Sequence, residues 1–335
     1  MVQLSILDLV RVRQGHTPRD ALDDARDLAA HAETLGYRRF WVAEHHNMPG
    51  VASAATSVVI GHIAAGTTSI RIGAGGIMLP NHAPIVIAEQ FGTLAQLFPG
   101  RIDLGLGRAP GTDQATMRAL RRSLTNSDAF PQDVLELQAY FAEPQPGQAV
   151  QAVPAGGTDV PLWILGSSTY GAQLAAALGL PYGFASHFAP DLLGEALAIY
   201  RARFQPSQQR DRPYAVVGVN IIAADSDAEA RRLATTQQMS FANMFRGARG
   251  LSQPPIDDID DYWSPIEKAQ AQRMLARSIV GSPETVGAGI AALVAETGAD
   301  ELMIVSDIFD RSARRRSFAI IAEVASSGYG RAAAA

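Results

Sequence analysis

Cysteine is missing from all 335 residues, which excludes disulfides, thiolate metal sites and cysteine nucleophiles and leaves the redox compartment undetermined. Charge is scarce as well. Lys and Arg total 28 against 33 Asp and Glu, a formal net charge of -5, so there is no general electrostatic footprint for nucleic acid. The one dense basic run, Arg314-Arg315-Arg316, reads as a solvated helix face. No apolar stretch reaches the roughly 18 residues that a membrane span requires. The opening MVQLSILDLVRVRQG also lacks the order of a secretory signal, because Asp8 breaks its apolar run. A cytoplasmic protein that neither binds nucleic acid nor enters a membrane is expected.

What is present is a rhythm. Residues 4–9, 39–43, 70–75, 101–107, 161–165, 182–186, 214–222 and 301–306 are nearly continuous apolar runs, as parallel strands buried on both faces would be. Helical patterns occupy 19–35, 84–98, 168–178, 190–204 and 283–295. The first places Ala21, Leu22, Ala25, Leu28, Ala29, Ala32 and Leu35 at helical spacing, with Gly36 as its cap. Ser282 and Pro283 suit the cap and first turn of the last. Eight strands alternating with helices predict an α/β fold of the (β/α)8 TIM-barrel type, one domain over 1–335. A doubly wound sheet would open with a glycine-rich turn after strand one, where this chain has VRVRQGHTP. Residues 108–160 and 223–300 exceed what one helix needs, so long insertions over the C-terminal rim are expected. Within the second, 246–265 is rich in Gly, Pro and Asp and is expected to be a mobile loop.

Barrel enzymes carry their chemistry on the loops that follow the strands. His45 and His46 follow strand two, His82 strand three, Arg108 strand four, His187 strand six and Asp307 strand eight. His16, His31 and His62 fall in a loop and in helices, where ordinary structural roles are expected. A metal is not. Adjacent His45 and His46 diverge if the strand continues, and no His-x-His or Glu-x-x-His occurs elsewhere. Gly73, Gly75 and Gly76 end strand three, where glycine marks close approach of a ligand or backbone, or else a bulge or tight rim packing. Gly105, Gly107 and Arg108 end strand four. Their Gly-x-Gly is only superficially a dinucleotide loop, because Pro110 follows and the Gly-x-x-Gly spacing is missing. After strand five, Gly166-Ser167-Ser168 runs straight into a helix, which makes either a plain N-cap or an anion site. Arg108 on the neighbouring exit favours a phosphate-bearing cofactor.

Taken together, FWVAEHHN, IGAGGIMLPNHAP, AEQFGTLAQLFPGRIDLGLGRAPGTD, WILGSSTYGAQLAAALGLP, GSPETV and ADELMIVSDIFD resemble the bacterial luciferase-like monooxygenase family, flavin-dependent (β/α)8 barrels. The chain is most similar to its single-subunit, non-luminescent branch. The resemblance implies His45 as catalytic acid/base. It implies Gly75-Gly76 as a pair joined by a non-prolyl cis peptide beneath the isoalloxazine ring. It also implies Arg108 and Ser168 on the flavin phosphate, assisted by backbone amides at Ser167 and Gly171. Three departures accompany it. Gly107 stands where luciferase has a cysteine, and Gly171 where it has a second phosphate-binding hydroxyl, with Tyr170 as a substitute. A second phosphate arginine is either Arg118 or Arg121. These departures put luminescence in doubt and leave flavin binding intact.

The reaction so implied takes FMN, reduced by a separate flavin reductase, and O2, and oxygenates a small organic substrate through a C4a-(hydro)peroxyflavin. Residues 246–265 would act as a lid, His46 would face away from the axis, and a homodimer is common among relatives. The alternatives are a hydride-transferring dehydrogenase that uses 8-hydroxy-5-deazaflavin, a metal-dependent barrel hydrolase and a non-catalytic flavin binder.

Overall fold

A computed structural model describes residues 2–109, 113–122 and 124–327. Pro110 and the last eight residues of the expected 1–335 domain lie outside the described residues. Eight parallel strands close into a barrel: β1 (Gln3–Asp8), β2 (Arg39–Val42), β3 (Arg71–Met78), β4 (Ile102–Gly107), β5 (Leu162–Gly166), β6 (Tyr182–Phe184), β7 (Ala215–Ala223) and, after a short β8 (Ile279–Gly281), β9 (Glu301–Val305). Neighbours pair in chain order from β1 to β7, then β7 pairs with β9 and β9 with β1. The fold is therefore a (β/α)8 barrel, as the alternation predicts. The extra strand β8 lies outside it, on the protruding end of β7. Three residues amid turn-forming sequence are too few to read as a strand.

Helices α1 (Pro18–Thr34), α2 (Thr56–Ala64), α3 (Pro84–Leu97), α4 (Gln114–Ala119), α5 (Phe130–Phe141) and α6 (Thr169–Leu178) follow the first five strands. Then come α7 (Leu193–Arg203), α8 (Asp227–Phe245), α9 (Pro265–Met274), α10 (Pro283–Thr297) and α11 (Arg311–Ser327). In α1 the reasons are local. Pro18 opens it, Thr17 and Asp20 form a reciprocal cap, and Ala21, Ala25, Leu28, Ala29 and Ala32 bury one face. Gly36, at φ +80, ends it as its position predicts. Among the described residues, no helix is long and apolar enough to cross a membrane.

Alternation along the strands divides the core. Ile6, Phe40, Val42, Ile72, Leu104 and Ile164 face the helical shell. Leu7, Trp41, Trp163, Val216 and Met303 fill the barrel. Below this layer Arg39 sits between Asp103 and Glu301, with Tyr214 and Ser5 on Glu301 and Arg71 on Asp103. Above it Gly75, Gly107 and Gly218 alternate with the small or apolar side chains of Ala43, Leu165 and Val305, at the end of the barrel where its chemistry belongs.

The basic run of α11 is not one solvated face. Arg314 turns inward to Asp8 (3.0 Å) and the Ser306 carbonyl (2.8 Å), while Arg316 reaches Asp225 on the exposed side. Helical spacing placed three adjacent arginines at different angles, so one had to point to the core. Residues 246–265 lie across the loops that follow β1 and β2. Gln14 N–H donates to the Ser252 carbonyl, Ser252 N–H to the Val12 carbonyl, and Ile256 N–H to Thr235 Oγ1. Trp263 in the same segment is buried against Ala242 and Ala271.

Candidate active site

The rim is organised by a residue that sequence reasoning passed over. Glu44, the first residue of the Glu-His-His run, is buried at 1% exposure. Its N–H donates to the Gly76 carbonyl (3.1 Å) and its Oε2 accepts from Met78 N–H (2.9 Å). The same carboxylate accepts from His46 Nε2 (2.7 Å), His82 Nε2 (2.9 Å) and Asn81 Nδ2 (3.1 Å). One side chain thus fastens the exit of β2 to the exit of β3. Burial works to raise its pKa, but the hydrogen bonds from His46 and His82 outweigh it and hold the carboxyl at about 2. The bond from Glu44 in turn raises the His46 pKa. Both imidazoles serve as donors to one acid. Among the described residues, no group of three or more His, Asp or Glu is arranged to hold a metal ion.

This cluster makes a stability prediction. Glu44→Gln is expected to lower stability by about 1.5–3 kcal/mol at neutral pH, the usual worth of hydrogen bonds to a charged group. A depressed carboxylate contributes stability that is present above its unfolded pKa of about 4.5 and lost as pH falls towards 2. The penalty should therefore be full at pH 7 and shrink in acid. Urea titrations of both proteins across that range would expose a penalty that does not change.

His45 is half-buried beside this clamp, one residue past the buried Glu44 and before Asn47, whose φ of +54 turns the chain. The four rim histidines therefore separate into two groups. His46 and His82 share Glu44, whereas His45 and His187 interact electrostatically with each other. Asp307 belongs to neither group and pairs with Arg11 at 3.3 Å.

The glycine-rich exits lie together. The peptide between Gly75 and Gly76 is cis, and the register of β3 against β4 shifts between Gly75 and Ile77. A Cβ on Gly75 would meet Leu7 Cδ1 at 2.7 Å and Trp41 Cβ at 3.1 Å; one on Gly76 would meet the Gly105 carbonyl at 2.7 Å. One on Gly107 would meet Met78 Sδ at 2.9 Å. The tight-packing reading of these glycines holds: neighbouring backbone and the side chains of Leu7, Trp41, Leu165 and Met78 fill the space that a Cβ would take.

At the exits of β4 and β5 the guanidinium of Arg108 stacks 4.0 Å over the Tyr170 ring. Ser168 caps α6 in extended conformation, yet its hydroxyl makes no bond to the N–H groups of its own helix. Its carbonyl accepts from Tyr182 OH (3.0 Å), which fixes the turn. Ser167, Ser168 and Tyr170 are half-buried, and Gly171 is buried against Tyr182, whose Cε2 a Cβ there would meet at 3.3 Å. A helix start with unpaired N–H groups, a spare hydroxyl and a nearby arginine fits a phosphate. Arg118 and Arg121 are both exposed, while Arg122 reaches the Asn81 carbonyl at 3.1 Å.

The family model described as Luciferase-like monooxygenase matches residues 2–301. The chain belongs to the luciferase-like monooxygenase family. A relative in Escherichia coli (strain K12), named luciferase-like monooxygenase, is 52% identical over 324 residues, 96% of this chain and 97% of its own length. The crystal structure of apo-MsnO8 is similar throughout, with a TM-score of 0.87 and 35% identity over 97% of this chain and 99% of that one. Two structures at lower identity share the fold. The oxygenating constituent of 3,6-diketocamphane monooxygenase from Pseudomonas putida, solved in complex with FMN, gives a TM-score of 0.71 at 19% identity, covering 96% and 97%. An F420-dependent secondary alcohol dehydrogenase gives 0.68 at 14%, covering 96% and 98%. Luciferase-like monooxygenases and their structural kin thus include both FMN- and F420-dependent enzymes.

Proposed function

We propose that the chain is a flavin-dependent monooxygenase that takes FMN reduced by a separate reductase, uses O2 and oxygenates a small organic substrate. The observation that carries this reading is the Arg108–Tyr170 stack beside the free hydroxyl of Ser168 at the start of α6. These residues would hold the FMN phosphate, with Ser167 and Gly171 amides assisting. Gly75 and Gly76 would lie beneath the ring, at a close approach of backbones where neither position has room for a Cβ. When bound, reduced FMN would supply the electrons and the oxygen-activating chemistry. His45 would hold or deliver a proton at its imidazole, and Glu44 would keep the β2 exit in place while it does so. Residues 246–265 would act as a lid that excludes water. We further propose a homodimer, since α2 and α3 expose Val58, Val86 and Leu97, and a cytoplasmic location.

Titration with FMN and with 8-hydroxy-5-deazaflavin in both redox states tests the reading. Reduced FMN is expected to bind, with substrate-dependent O2 consumption that EDTA does not inhibit. Preference for the deazaflavin without O2 consumption would replace the monooxygenase by a hydride-transferring dehydrogenase. Arg108→Ala and Ser168→Ala should each weaken FMN binding about 10–100-fold, the equivalent of one lost charge-assisted hydrogen bond. Riboflavin, which has no phosphate, should bind all three proteins alike. Equal losses for both ligands would remove Arg108 and Ser168 from the phosphate.

A further inference from the structure

His187 follows β6, which stands diametrically opposite β2 in the ring of eight strands. Its loop is held firmly. Ser186 Oγ donates to the Gly218 carbonyl (2.5 Å), Asn220 Nδ2 donates to the His187 carbonyl (2.5 Å), and Gln237 Nε2 of α8 donates to Asn220 Oδ1 (2.8 Å). Phe188 packs edge-on to the imidazole, with ring centroids 4.8 Å apart. So tethered, the ring folds back over the barrel. A Cβ on Gly218 would stand 2.5 Å from His187 Nδ1 and 3.3 Å from its Cε1, so the imidazole occupies the space that an inward side chain of β7 would fill. Val216, one inward position below Gly218, belongs to the packed barrel interior. The ring therefore sits in the layer directly above that interior, within the mouth.

A histidine buried for structure alone pairs its ring nitrogens. His187 Nδ1 is enclosed and has no hydrogen-bond partner among the described residues. Burial, and secondarily the facing His45, hold its pKa down at about 4, and no carboxylate acts on it to oppose this. An enclosed nitrogen without a partner, on a ring set over the bare Gly218 at the level of the mouth, is a group kept for a ligand.

We propose that His187 is a further residue of the reaction site, presenting an imidazole nitrogen to the bound flavin or its substrate across the mouth from His45. This role rests on the flavin reading above. It divides the work between two imidazoles: His45 exchanges the proton, and His187 contributes a hydrogen bond without charge.

The flavin-free protein offers a first test. In 15N spectra the His187 imidazole should stay neutral between about pH 5 and 8, and its Nδ1 signal should move when reduced FMN is added. His187→Leu should bind reduced FMN within about threefold of the parent. It should alter the rate at which O2 reoxidises the bound flavin by about tenfold, the worth of one hydrogen bond, and release more peroxide. Gly218→Ala should do the same by displacing the ring, and His187→Asn should restore much of the loss. Unchanged reoxidation in both His187→Leu and Gly218→Ala would overturn the proposal. So would parallel loss of FMN affinity and melting temperature that His187→Asn fails to rescue. If the imidazole titrates as expected but the parent binds no flavin, the cofactor reading falls and this role falls with it.

Discussion

The His45→Ala protein is expected to bind reduced FMN as the parent does and to turn over its substrate about 10²–10⁴-fold more slowly, the usual contribution of a positioned acid or base. The expectation rests on what surrounds the residue. Glu44 on one side is committed to four donors from the exits of β2 and β3 and is held ionised. His46 on the other is committed to Glu44, so its loss should act through the fold of the rim. Of the run's two histidines, His45 is the one in electrostatic contact with the imidazole across the mouth. His46→Ala should therefore lower stability more than it lowers turnover per folded molecule, the reverse of His45→Ala. Rapid-mixing kinetics with flavin-saturated enzyme, read beside thermal melts, separate the two. Undiminished turnover in His45→Ala would remove it from the proton path.

The second large effect lies at the opposite end of the barrel. Arg39→Met is expected to cost about 3–5 kcal/mol of stability at neutral pH, because it leaves buried carboxylates without their counter-charge. Arg39 is 2% exposed. It donates to Asp103 at 2.6 Å and to Glu301 at 2.7 and 3.0 Å, and its guanidinium lies 4.5 Å from the Trp163 ring. Asp103 keeps Arg71 in the variant, but Glu301 retains only hydroxyl donors from Tyr214 and Ser5 at close range. The sign with pH follows. In the parent, burial works to raise the Asp103 pKa but Arg39 and Arg71 together lower it, so its contribution is present above about pH 3.8 and is lost as pH falls. Without Arg39, Asp103 binds a proton more readily in the folded state, so the gap between parent and variant should narrow in acid. Adding Glu301→Gln to Arg39→Met should recover part of the loss, since it removes the uncompensated charge. Chemical denaturation of the three proteins at neutral and acid pH would show this. A double variant no more stable than Arg39→Met would mean that packing over Trp41 and Trp163, and not charge, sets the cost.

Much of the architecture was legible because its signals are local. A strand buried on both faces must be apolar along its length, and a helix against it must repeat at 3.6 residues, so β1 to β7 and β9 announce themselves. Glycines at the exits of β3 and β4 and a serine at the start of α6 were visible for the same reason. Each answers a demand of its own short stretch of backbone. The resemblance then supplied roles that spacing could not. What escaped were residues whose meaning depends on distant partners. Glu44 was in plain sight, yet nothing in AEHHN says that its carboxylate meets Met78, Asn81 and His82. Gly218 looked like any glycine in a strand until His187 was found in its place.

The amino-acid order by itself determined a parallel barrel, its rim chemistry of histidine, arginine, glycine and serine, and the absence of any cysteine route, since these follow from composition and short-range periodicity. Only the tertiary structure decided which polar groups are buried and with whom. It divided the rim histidines into a pair clamped on Glu44 and a pair that interact electrostatically, and it turned Arg314 inward while Arg316 stayed outside. The physical reason is that burial strengthens or forbids a charge according to neighbours 30 to 300 residues away, and periodicity carries no information about them.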